Sequence, residues 1–237
     1  MINTKKSHLL ILLTLTATIK PLEAKKISTH TDTKNTAPKE VYTPQSFDFK
    51  KKGVALSDAQ LDQHVKLYQG YVKKRNEITH NLETVDRSNV ANITYSPFRS
   101  LKIAQTFAHN GSLLHQMYFE NLGQSDGPGE QTEKLLIKNF GSIENFKKDL
   151  MDSASCARGW VLTAYCLDDN TVKNFVLDAH NETVPVFVIP LLVVDTYEHA
   201  YMIDYGIQRA EYLATIWQNI DWDVVEKRVS HWLRKLK

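Results

Sequence analysis

The chain has 237 residues, with 29 Lys+Arg against 27 Asp+Glu and a formal net charge of +2. That near-balance gives no basic field for nucleic acid or for an anionic membrane surface. Two cysteines are too few for a disulfide-built scaffold. Residues 1–24 have the layout of a secretory signal peptide: Lys5 and Lys6, the apolar stretch Leu9 to Ile19, then Pro21-Leu22-Glu23-Ala24 before a cut. The stretch is too short to span a bilayer, so the mature form is expected without a membrane segment, in the periplasm or secreted. Removing Lys5, Lys6, Lys20 and Glu23 with it brings the formal charge to zero. Residues 25–49 are polar and aperiodic and read as a flexible leader.

Ser57 is the expected N-cap of a first helix, with Gln60 three residues on completing a capping box. Leu61, Val65, Tyr68 and Val72 then recur at helical spacing, to about Ile78. A second periodic segment runs from Leu101 to Phe119, after Pro97, which suggests an antiparallel hairpin over 50–123. Gly123 to Gly129 is a linker, and residues 130–237 form the second unit. Within it, helices are expected at 131–139 and 142–153. Strands are expected at Trp160–Leu167, Phe175–Asp178 and 187–194, and a helix from Glu198 to Trp217. The class is α+β: a helical hairpin, then a three-stranded antiparallel sheet with helices. Cys156 and Cys166 read as core residues, with a bridge between them left open.

The third strand ends in Asp195-Thr196-Tyr197-Glu198-His199, where a carboxylate and an imidazole four residues apart can face one ion. Of nine histidines, His64, His109, His115 and His199 lie on otherwise apolar faces. A lone buried imidazole is more often a hydrogen-bonded core residue than a ligand. The metal reading gains from convergence, because separate helices and a strand end supply these groups. Mixed nitrogen and carboxylate donors suit iron, manganese or zinc.

Several of these segments, in this order, resemble the iron/manganese superoxide dismutases. Asp195-Thr196-Tyr197-Glu198-His199-Ala200-Tyr201 is similar to that family's last ligand motif, with Tyr197 where a Trp is usual. Ser57 to His64 resembles the segment of the first ligand, and His115-Gln116-Met117-Tyr118-Phe119 that of the second. Phe140 to Lys147, Gly159-Trp160, Tyr212 to Trp217 and Asp221-Trp222 match further landmarks. The resemblance implies one iron or manganese ion per chain, held by His64, His115, Asp195 and His199. It implies disproportionation of superoxide to oxygen and hydrogen peroxide, with Asp195 accepting a hydrogen bond from metal-bound solvent.

The same resemblance makes Tyr71 the gateway tyrosine and His180 the candidate donor to bound solvent, with Trp160 beside them. Tyr71 follows His64 by seven residues, where the family usually has eight. Seven helical steps of about 100° return to within about 20° of the starting face, so no helical bulge is needed. Aligning from Tyr71 instead would put Gln63 at the ligand position. Tyr68 and Tyr197 are carried over to the surroundings of the site and the dimer contact, and Glu198 is expected to reach the partner's ligand across a homodimer or higher homo-oligomer. The usual interface His and Tyr are replaced here by the Leu67-Tyr68 region and Met202. Competing readings are a non-catalytic metal-binding relative and another metal-dependent oxidoreductase.

Overall fold

In the computed structural model, which describes residues 41–235, helix α1 (Asp58–Thr84) starts where the sequence places it. Ser57 is extended, and its Oγ accepts the Gln60 N–H at 3.1 Å. The capping box closes on one side only, because the Gln60 side chain reaches instead to the backbone of His199 and Ile203. Helix α2 (Pro97–Glu120) is capped by Ser96 and has proline in its first turn, where no N–H is missed. His64 packs on Phe119 and Tyr71 on Phe107, the order of an antiparallel pair. Both helices extend beyond the expected ends, since the periodic apolar residues mark only the packed part of each.

Helices α3 (Glu130–Phe140) and α4 (Ile143–Cys156) are separated by Gly141, whose φ of 86° ends the first of them. Strands β1 (Trp160–Cys166), β2 (Thr171–Leu177) and β3 (Val188–Asp195) form one antiparallel sheet in the order β2-β1-β3. The register between β1 and β3 shifts between Thr163 and Ala164, opposite Pro190. Proline is tolerated there because β3 is an edge strand with a bulge. Strand β2 begins four residues before the expected start, since its first residues pair with the end of β1 although only Val172 among them is buried.

The helix expected from Glu198 to Trp217 is three pieces. A 3₁₀ turn (Glu198–Ala200), α5 (Met202–Tyr205) and α6 (Arg209–Gln218) follow one another. Gly206, at φ 53°, breaks the run between the last two. Helix α7 (Trp222–Lys235) completes the chain. One core joins the elements: Tyr118 and Phe119 of α2 share it with Leu162 and Val194 of the sheet and Tyr212 of α6.

Two expectations need correction. Residues 41–49 are not a loose tether. Asn76 binds the backbone of Val41 and Tyr42, Gln45 N–H donates to Tyr68, and Phe47 and Phe49 pack tilted and edge-on against the Phe119 ring. Composition averaged over the leader hid its two core aromatics. Residues 1–24 and 25–40 lie outside the described residues. Cys156 is exposed rather than in the core, Cys166 is buried, and both are free thiols. The 123–129 linker is itself tied down, with Gly123 N–H bonded to the Asn219 carbonyl and Leu122 bridged to Ile220.

Candidate metal centre

Four elements bring His64, His115, Asp195 and His199 together, with one ligand atom from each within 4.8 Å of all the others. Helices α1 and α2 deliver the first two from facing turns, β3 ends in the carboxylate, and the 3₁₀ turn carries the last imidazole. Asp195 Oδ2 lies 3.0 Å from His64 Nε2, 3.2 Å from His199 Nε2 and 3.7 Å from His115 Nε2. The side chains of His64, His115 and Asp195 are fully buried, and that of His199 is 29% exposed. Gln63, the alternative first ligand, is exposed and outside the cluster. His109 is also exposed and outside the cluster.

Each donor is aimed by its own backbone. His115 Nδ1–H donates to the Gly111 carbonyl at 2.6 Å, which turns the Nε2 lone pair inward. Asp195 Oδ1 accepts the Tyr197 N–H at 2.9 Å, leaving Oδ2 for the cluster. The Asp195 carbonyl takes the Tyr212 hydroxyl at 2.7 Å, and Tyr212 in turn meets Tyr118 at 3.1 Å. Burial pulls His115 down to about 3 and lowers His64 as well, so both are neutral ligands near pH 7. Burial would raise Asp195, but the His199 and His64 imidazoles hold its carboxyl well below the usual range. Neutral imidazoles around an ionised, fully buried carboxylate form a donor set that fits iron, manganese or zinc.

A wall of rings surrounds these donors. Tyr71 stacks on His115 at 5.1 Å and meets His180 edge-on at 4.7 Å, and α1 carries it there as an uninterrupted α-helix. His180 is 1% exposed, and its Nδ1 accepts the Trp160 Nε1–H at 2.9 Å. The proton of neutral His180 is therefore on Nε2. Burial lowers this imidazole to about 4 and lifts the Tyr197 phenol to about 12. Tyr197 stacks on His199, and Phe119 packs edge-on against His64 at 4.8 Å. Tyr68 is different from the expectation: it is 1% exposed in its own core, bonded to Gln45, and offers nothing to a partner. Glu198 is exposed beside the site, as is Met202.

Three contributors escaped the sequence. Gln60 and Tyr212 bind the backbone of ligand residues, and Asn110 Nδ2–H holds the His180 carbonyl at 2.6 Å. In the sequence Gln60 stands only as part of a capping box and Tyr212 only as part of a family landmark, so the contacts they make are tertiary facts. The fit of Gly111 was equally hidden: a Cβ there would lie 2.8 Å from Tyr71 Cδ1 and 3.1 Å from His180 Cδ2.

Residues 128–228 match the family model for the C-terminal domain of iron/manganese superoxide dismutases. The chain is 36% identical over 197 residues to an iron superoxide dismutase of Aquifex pyrophilus, covering 81% of this chain and 89% of that protein. The chain belongs to the iron/manganese superoxide dismutase family. Other superoxide dismutases it is similar to are an iron enzyme of Methanothermobacter thermautotrophicus, 33% identical over 70% of this chain and 82% of that one, and a manganese enzyme of Halobacterium salinarum, 30% identical over 68% and 80%. The superoxide dismutases this chain is similar to thus include ones named for iron and one named for manganese. A second group, Cys166, Asp168 and Asp169, lies at the β1–β2 turn. There Asp169 is engaged by Thr171 and Lys173.

Proposed function

We propose that His64, His115, Asp195 and His199 hold one iron or manganese ion per chain, that this centre disproportionates superoxide to oxygen and hydrogen peroxide, and that the protein works in the periplasm or secreted. The observation that carries the reading is the convergence of three imidazoles with one fully buried carboxylate in a member of this family. An ion held by these four residues would supply one-electron redox chemistry.

The chain's own residues manage geometry, access and protons. The fixed Nδ1–H of His115 holds its inward lone pair, and the Tyr212 hydroxyl holds the backbone of Asp195. Burial of both groups keeps bulk water from competing with the ligands. Tyr71, its phenol raised by burial and by the Asp195 charge, stays protonated at neutral pH and stands between His115 and the half-exposed groove of α1 and α2. His180, oriented by Trp160, holds its proton on Nε2 and is the donor assigned to solvent at the centre. Reduction of superoxide to peroxide consumes two protons, which come from solvent, and these two groups are the hydrogen-bonding side chains assigned to order their path.

Glu198 is the residue assigned to the dimer contact, supported by its exposure beside His199 and by the exposed apolar Met202, Ile203 and Ile207 that follow it. Export is supported by the layout of residues 1–24 and would give a purified chain beginning near Lys25. The decisive experiment is elemental analysis and superoxide disproportionation on one purified sample, expressed with iron and manganese both available. About one redox-active ion per chain with activity is expected. Zinc alone, or no metal, overturns the reading.

A further inference from the structure

The geometry points to Gln60 as a positioning residue that sets where His199 sits, an inference that rests on the metal centre proposed above. Gln60 is 0% exposed. Its Nε2–H donates to the His199 carbonyl at 2.7 Å, and its Oε1 accepts the Ile203 N–H at 3.1 Å. One side-chain amide therefore ties the 3₁₀ turn that carries the ligand to the start of α5 just after it.

His199 is the donor that most needs such a grip. His64 and His115 are built on helices of 27 and 24 residues and are fully buried. His199 is carried by a three-residue turn and keeps 29% of its side chain exposed. The Ile203 N–H belongs to the first turn of α5, a four-residue helix with no side-chain cap of its own, and would otherwise lack a partner. Gln60 supplies that cap from another element. It also lies four residues before His64 in α1, on the same helix face. Helix α1 thus presents one ligand directly and fixes a second through the Gln60 amide, so the spacing between His64 and His199 is set by a single rigid rod. The Ser57 backbone and hydroxyl bind Asp204 alongside and hold the same segment one turn further on.

The experiment uses the full chain with Co²⁺ as a spectroscopic probe and Mn²⁺ for retention against a chelator. Gln60→Met keeps length and burial but neither hydrogen bond. It is expected to alter the visible Co²⁺ bands and shorten the Mn²⁺ half-life about tenfold, as loss of a net 1.4 kcal/mol would. Gln60→Ala carries the same expectation if the Met variant fails to fold. Ser142→Ala, which removes the remote cap of α4, controls for lost stability and should leave both readouts at the parent value. Parent-like bands and retention in the Gln60 variants, or the same changes in Ser142→Ala, overturn the inference. A parent that binds neither ion fails differently, because it overturns the metal centre itself.

Discussion

Gly111 shows how a single missing atom arranges this site. It gives its carbonyl to His115 Nδ1, and the space a Cβ would fill is taken by Tyr71 and His180. Both rings belong to packed elements, Tyr71 to α1 and His180 to a segment held by Asn110 and Trp160, so neither can retreat freely. Gly111→Ala should therefore keep the metal, since the backbone carbonyl remains, while displacing the two proton-handling rings. Crowding of this kind costs about 1–3 kcal/mol. Activity per bound metal is expected to fall at least tenfold with metal content within a factor of two of the parent, read by elemental analysis and a superoxide assay on the same preparation. Unchanged activity would mean that the placement of Tyr71 and His180 does not matter. The ligands were legible in the sequence because each sits in a segment with a recognisable motif. The room Gly111 leaves was not legible, since the space around a glycine is a tertiary fact.

Elements are joined here by polar groups that reach across from one to another. Helix α3 begins at Gly129, which has no side chain to cap it, and Glu226 of α7 takes that role. Its carboxylate accepts the N–H of Gln131 at 3.2 Å, the N–H of Thr132 at 2.8 Å and the Thr132 hydroxyl at 2.6 Å. A Cβ on Gly129 would meet that carboxyl at 2.7 Å, so the glycine makes the room. Burial would raise the Glu226 carboxyl, but these donors hold it below its ordinary value. A carboxyl lowered by folding stabilises the fold above its unfolded pKa and loses that contribution as pH falls through the folded value. Glu226→Gln should lower stability by about 1 kcal/mol at pH 7, roughly 2–4 °C in melting temperature. The difference from the parent should shrink as pH falls below the unfolded carboxyl's value of about 4.3 and through the lower folded value. A constant difference across that range would remove the charge from the explanation. Arg228 of α7 does related work, donating to Glu120, Met117 and Asn121 at the end of α2 and to Leu191 of β3. Helix and strand order could be read from periodicity and turn residues. The division of the segment after Glu198 could not, because it turns on the positive φ of Gly206 and on a cap that Gln60 supplies from 143 residues away.

Across the whole molecule the candidate metal centre is where the helical hairpin meets the sheet. Two ligands come from α1 and α2 and two from the end of β3 and the turn after it, so a bound ion cross-links segments 131 residues apart, His64 to Asp195. A ligand that binds only the folded state stabilises it by RT ln(1 + [L]/Kd), about 4 kcal/mol at a thousandfold excess over Kd. Removing the ion leaves the Asp195 carboxylate buried against imidazoles with no cation among them, and the junction of hairpin and sheet should loosen first. The register of α1 makes this testable. His64 is buried in the cluster, whereas Gln63 next to it, about 100° round the helix, is exposed. Metal-loaded parent and Gln63→Ala should melt together, well above their metal-free forms. His64→Ala should melt near the metal-free parent whether or not Mn²⁺ is added, because one of four donors is gone, and it should lose at least nine-tenths of the parent's metal and activity. Scanning calorimetry with and without Mn²⁺, alongside metal analysis, separates these cases. If His64→Ala still gains the parent's thermal shift from Mn²⁺ while Gln63→Ala does not, the first ligand lies one position earlier and the seven-residue spacing to Tyr71 is misread.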